Sequence, residues 1–117
     1  MTDTAFLTMT ELSAGFASGA LSPVAVMERY LDRIAQYDEK LHAFVTVYAD
    51  DALLAAQAAE NAQKAGHRVG PLHGVPIAMK DIVDMEGRVT TGGSLPWKDR
   101  VSPVTATLVE RLVAAGM

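Results

Sequence analysis

Lys80 closes a short apolar run, Val75-Pro76-Ile77-Ala78-Met79, and is followed further along by Thr90-Thr91-Gly92-Gly93-Ser94. A lysine amine taken out of water loses proton affinity and can act as a base near neutral pH. Alternation along an extended run turns Val75, Ile77 and Met79 one way and Ala78 and Lys80 the other, which puts the amine beyond the apolar face. The same residue could instead reach solvent, or pair with Asp81 or Asp84, as an ordinary strand-end lysine does. Thr91, Gly92, Gly93 and Ser94 could form a backbone nest with hydroxyls around it, suited to an anion or a reactive group, or could form a plain turn.

Other chemistries are poorly served. The Gly-x-x-x-x-Gly-Lys-Ser/Thr order of a phosphate-binding loop is absent, as is the dinucleotide glycine fingerprint, so no cofactor is expected. His42, His67 and His73 lack metal-ligand spacing, and no metal site is expected. His73 lies in the turn before the apolar run, where hydrogen bonding could orient the loop. The chain has no cysteine, which excludes disulfides and thiolate chemistry. Trp97 and the tyrosines are not interleaved with basic residues and read as packing groups, not as a stacking platform.

The elements that must hold Lys80 can be read along the chain. Thr8-Met9-Thr10-Glu11 has capping-box spacing and predicts a helix that Gly19 stops. Ser22-Pro23 opens a second, with Met27, Tyr30, Leu31, Ile34 and Tyr37 at helical spacing. Leu41 to Tyr48 is short and β-prone and is taken as an extended connector. Asp50 to Ala65 is a helix ended by Gly66, and its small alanine surface predicts close packing. Val75–Met79 is expected to be a strand, with Pro76 near its start where a missing N–H costs least. A long mixed segment, 81–101, precedes a second Ser-Pro start at Ser102-Pro103. The last helix there has Val104, Leu108, Val109, Leu112 and Val113 as its apolar face and Gly116 as its cap.

With 117 residues, half of them hydrophobic, the chain has globular composition and the size of one domain at most. Its net charge of −4 argues against nucleic acid as a partner. The stretch from Leu12 to Met27 is broken by Gly15, Gly19, Ser22 and Pro23, so no membrane span is expected. The N-terminus lacks the pattern of a signal peptide, and a soluble, cytoplasmic protein is the expectation. A single strand between helices calls for parallel neighbours that the chain does not supply. The expected fold is therefore α/β, a mainly helical region over 1–66 and a lysine-bearing strand, glycine-rich loop and helix over 67–117. Its sheet would be completed by further sequence or an oligomer partner.

The run Gly70-Pro71-Leu72-His73-Gly74-Val75-Pro76-Ile77-Ala78-Met79-Lys80-Asp81, continued to Thr90-Thr91-Gly92-Gly93-Ser94, closely resembles the amidase signature family. The helix from Pro23, the Leu41–Val45 segment, the alanine-rich helix and the last helix also resemble the N-terminal part of that fold. The resemblance implies a serine amidase acting on a small-molecule amide, with a nucleophilic serine, a bridging serine in a cis peptide, and Lys80 as the base. Thr91, Gly92, Gly93 and Ser94 would shape the site, Ser94 matching a supporting serine and not the nucleophile. Both serines of the triad are expected outside these 117 residues, so the chain alone is expected to be inactive. Two other readings stay open: a small interaction module with amidase-like packing, and a lysine enzyme of Schiff-base type.

Overall fold

The computed structural model describes residues 3–117, which form two units. One comprises the described residues up to Pro76 together with Ala115–Met117; the other is Ile77–Ala114.

The first unit is helical: a 3₁₀ turn at Thr4–Phe6, α1 at Met9–Ser18, α2 at Pro23–Leu41 and α3 at Ala49–Lys64. Local chemistry directs where the first two helices begin. The Thr8 hydroxyl accepts from the Glu11 N–H while Glu11 accepts from the Thr8 N–H, a complete capping box, and Gly19 ends α1 in the left-handed region. Ser22 caps α2, with Pro23 at its first position, and also donates to the Glu60 carboxylate on α3. One serine thus starts one helix and ties it to the next.

Leu12, Phe16, Val26 and Val75 form the buried cluster, with Leu7, Leu21, Tyr30, Leu72 and Met117 packed against it. The alanine surface of α3 does bring backbones close: α2 and α3 pack together, Ala56 is buried, and Gly74 lies against Pro23 and Ala59. His73 is buried in the same unit. Its Nδ1 accepts from the Val69 N–H at 3.2 Å, so Nε2 carries the hydrogen and donates to the Ala59 carbonyl at 2.8 Å. The chain's last residues close this unit, since Leu72 N–H donates to Ala115 and Gly74 N–H to Gly116. A β-carbon at Gly116, where φ is +104°, would lie 2.7 Å from the His73 Cα, so only glycine fits there.

The second unit is organised by polar contacts. Gly87 N–H donates to Ser102, Ser102 N–H to Arg88 and Thr90 N–H to Arg100, making a narrow antiparallel pair with a single bridge, Val89 to Val101. Between its arms lies a 3₁₀ turn at Leu95–Trp97, and after it comes α4 at Thr107–Ala114.

Two expectations are corrected. Among the described residues there is no β-strand, so the α/β class is replaced by helices with irregular segments. Val75 N–H turns back onto Leu72, Pro76 has no N–H, and among the described residues no backbone bond reaches 76–79; an apolar run becomes a strand only when something pairs with it. Val75 is instead a core residue of the helical unit. The second Ser-Pro does not start a helix: α4 begins at Thr107, and buried Ser102 donates to the Val104 carbonyl at 2.8 Å. Val104 therefore lies outside the last helix.

Candidate functional site

Lys80 stands where the unpaired run turns. Its carbonyl accepts from the Val83 N–H at 2.9 Å, and its side chain is exposed. Among the described residues no hydrogen bond or ion pair engages its ammonium group. These residues thus do not take the Lys80 amine out of water.

Both acids that could have paired with Lys80 are committed elsewhere. The Asp81 carboxylate accepts from the Thr91 N–H at 2.9 Å and from the Thr91 hydroxyl, and the Asp81 carbonyl accepts from the Gly92 N–H at 2.7 Å. These contacts hold the Asp81 carboxyl below its ordinary range, the Thr91 hydroxyl contributing most, then the Thr91 N–H; partial burial opposes them and the Gly93 N–H adds to them. Asp84 receives both arms of the Arg100 guanidinium, at 2.8 and 3.3 Å, which lowers the carboxyl and raises the guanidinium from their usual values. Arg100 also lies over the Trp97 ring, 5.4 Å from its centroid.

The glycine-rich loop is a tethered turn. Gly92 and Gly93 adopt φ of +60° and +69°, and space around both is open, so the demand for glycine comes from the backbone and not from crowding. Gly93 N–H donates to the Thr91 hydroxyl at 3.1 Å and Ser94 N–H to the Thr91 carbonyl at 3.0 Å. Every amide from Thr91 to Ser94 therefore has a partner within the chain, and the loop as folded offers no free backbone nest for an anion. The Ser94 hydroxyl, half-buried, has no hydrogen bond among the described residues.

Lys80, Thr91, Gly92, Gly93 and Ser94 thus all belong to the second unit, joined through Asp81. Asp81 is what reading the sequence missed: its place beside Lys80 suggested an ion pair, whereas its partner lies ten residues away. His42 ends α2 in the left-handed region, and His67 is exposed. Among the described residues no group of three or more His, Asp or Glu could hold a metal ion, and no helix is long and apolar enough to cross a membrane. A surface hollow lined by Val47 to Asp51 lies at the start of α3 and includes none of the site residues.

Comparison with known proteins matches residues 25–117 to the amidase family model. A glutamyl-tRNA(Gln) amidotransferase chain from Streptomyces coelicolor is 44% identical over 98% of this chain and 23% of its own length. Among solved structures, the peptide amidase of Stenotrophomonas maltophilia superposes with a TM-score of 0.87 at 33% identity, over 96% of this chain and 23% of that one. A bacterial aryl acylamidase of the amidase signature enzymes superposes with a TM-score of 0.86 at 31% identity, over 94% of this chain and 23% of its own. The chain spans about a quarter of the length of the curated relatives it matches.

Proposed function

This chain belongs to the amidase family, and we propose that it is the lysine-bearing N-terminal part of a longer amidase that hydrolyses a carboxylic amide through an acyl-enzyme. The observation that carries the reading is the state of Lys80. Among the described residues its amine is unpaired, and Asp81 and Asp84, the acids nearest in sequence, are engaged by Thr91 and Arg100. A carboxylate against a lysine stabilises the ammonium form, and a base must be free to lose its proton.

In the proposed reaction, Lys80 accepts a proton relayed through a bridging serine hydroxyl as the nucleophilic serine attacks the amide carbon. Backbone donors stabilise the oxyanion, the proton held by Lys80 passes back to the departing nitrogen so that ammonia or an amine leaves, and water releases the acid. Both serines and the oxyanion donors would come from the remaining three quarters of the enzyme, which would also cover Lys80 and exclude water. Residues 1–117 alone are then inactive. Thr91, Gly92, Gly93 and Ser94 would form one wall of the site. A cytoplasmic location, and the choice between a free hydrolase and one component of an amidotransferase, belong to the same proposal.

The test is amide hydrolysis by the longer enzyme with and without Lys80→Ala. Loss of the base should lower kcat about 10²–10⁴-fold while leaving circular dichroism unchanged. Near-normal turnover by the folded variant would sink the assignment.

A further inference from the structure

Asp81 is placed to do more than fill a turn. It follows Lys80 directly and reaches the glycine-rich loop through both its backbone and its side chain. Its carboxylate takes the two donors of Thr91, and its carbonyl takes the amide of Gly92. Thr91 then organises the rest: its hydroxyl, while donating to Asp81, accepts from Gly93, and its carbonyl accepts from Ser94. The loop's position relative to Lys80 is thus set by one residue at each end, Asp81 and Thr91.

We propose that Asp81 is a positioning residue for the Lys80 site, a latch that holds Gly92, Gly93 and Ser94 in fixed register beside the lysine. This rests on the reading of Lys80 as the catalytic base. The geometry explains the residue types. A carboxylate offers acceptors to an N–H and an O–H at once. A threonine or serine at position 91 can donate and accept with one oxygen, which valine, of the same shape as threonine, cannot do. Two adjacent left-handed residues would leave the loop loose without such an anchor, because glycine gives up more freedom than any other residue on ordering. An asparagine at 81 keeps an acceptor for the Thr91 N–H but gives up the charge that strengthens both bonds.

The test has two arms. In the first, amide hydrogen exchange is followed by NMR in the 117-residue chain for the wild type, Asp81→Ala, Asp81→Asn, Thr91→Val and Thr91→Ser, with the α1 amides reporting whether each variant is folded. Asp81→Ala and Thr91→Val should speed exchange at Gly92 and Ser94 about tenfold or more. Asp81→Asn should fall between, and Thr91→Ser should stay near the wild type. In the second arm, the longer enzyme should lose kcat with little change in KM in Asp81→Ala and Thr91→Val, and Thr91→Ser should restore it. Unchanged exchange in Asp81→Ala, with α1 intact, overturns the latch. Faster exchange with unaltered kcat overturns its catalytic relevance. Full turnover by Lys80→Ala would instead remove the reading on which the proposal rests and leave the exchange result standing, so the two failures are distinguishable.

Discussion

The unit formed by the described residues up to Pro76 with Ala115–Met117 is held by a hydrophobic cluster, whereas the unit from Ile77 to Ala114 is held by hydrogen bonds and an ion pair. The first buries Leu12, Phe16, Val26 and Val75 together. In the second, Val109 is the one large apolar side chain that is buried, and Leu95, Ile82, Val101, Val104, Trp97 and Val113 are all more than half exposed. Its buried polar residues, Thr90 and Ser102, sit in the paired segment beside the Asp84–Arg100 contact. Non-directional burial contributes stability without regard to exact side-chain orientation; directional bonds specify position but contribute little net free energy. The difference teaches that the segment carrying Lys80 is organised for placement, and that the helical segment supplies stability.

The sharpest way to break this contrast is to remove a side chain from the cluster. Phe16→Ala should cost about 3–5 kcal/mol, enough to lose most or all cooperative unfolding in a denaturant titration. An effect below about 1 kcal/mol would mean that the cluster does not carry the first unit.

Acid should sharpen it next. Asp81 and Asp84 both have carboxyls held below their ordinary range, so each stabilises the fold fully above that range and loses its contribution as pH falls through the lowered native value. Exchange at Thr91, Gly92 and Ser102 should therefore accelerate only in acid below the usual carboxylate range. In the first unit Glu11, held low chiefly by the Thr8 N–H, and Glu60, held low chiefly by Lys64, should lose their contributions in the same way, while the amides around Phe16 remain protected. Simultaneous loss at Phe16 and Thr91 would show that the two units do not differ in this way.

The smallest effect is expected at the exposed apolar surface. Leu95 is 79% exposed, and Leu95→Ala should change the stability of these 117 residues by no more than about 0.5 kcal/mol. In the proposed longer enzyme the same change should cost more if the remaining sequence covers this side chain. Equal, negligible costs in both would show that Leu95 stays in water.

How much was legible in the sequence follows the range of the interactions involved. The starts of α1 and α2 were readable because Thr8 with Glu11, and Ser22 with Pro23, satisfy helix ends within a few residues. The connector expected over Leu41–Tyr48 was readable to within one residue, Leu41 being the last of α2, and the hydrogen-bonding role of His73 and the amidase family were readable too. The family was readable because Lys80 and the Thr-Thr-Gly-Gly-Ser loop keep a specific distance in the chain.

Tertiary structure alone decided the rest. Strand character in Val75–Met79 depended on a partner for its backbone, which composition cannot report, and these residues do not provide one. Ser102-Pro103 had the composition of a helix start, but Ser102 was recruited into a turn. Asp81 and Asp84 looked like partners for Lys80 because they are its neighbours in the chain. Thr91 and Arg100, distant in sequence, are the donors that meet them, and which donor reaches which acceptor is decided in space, between groups that the sequence merely counts.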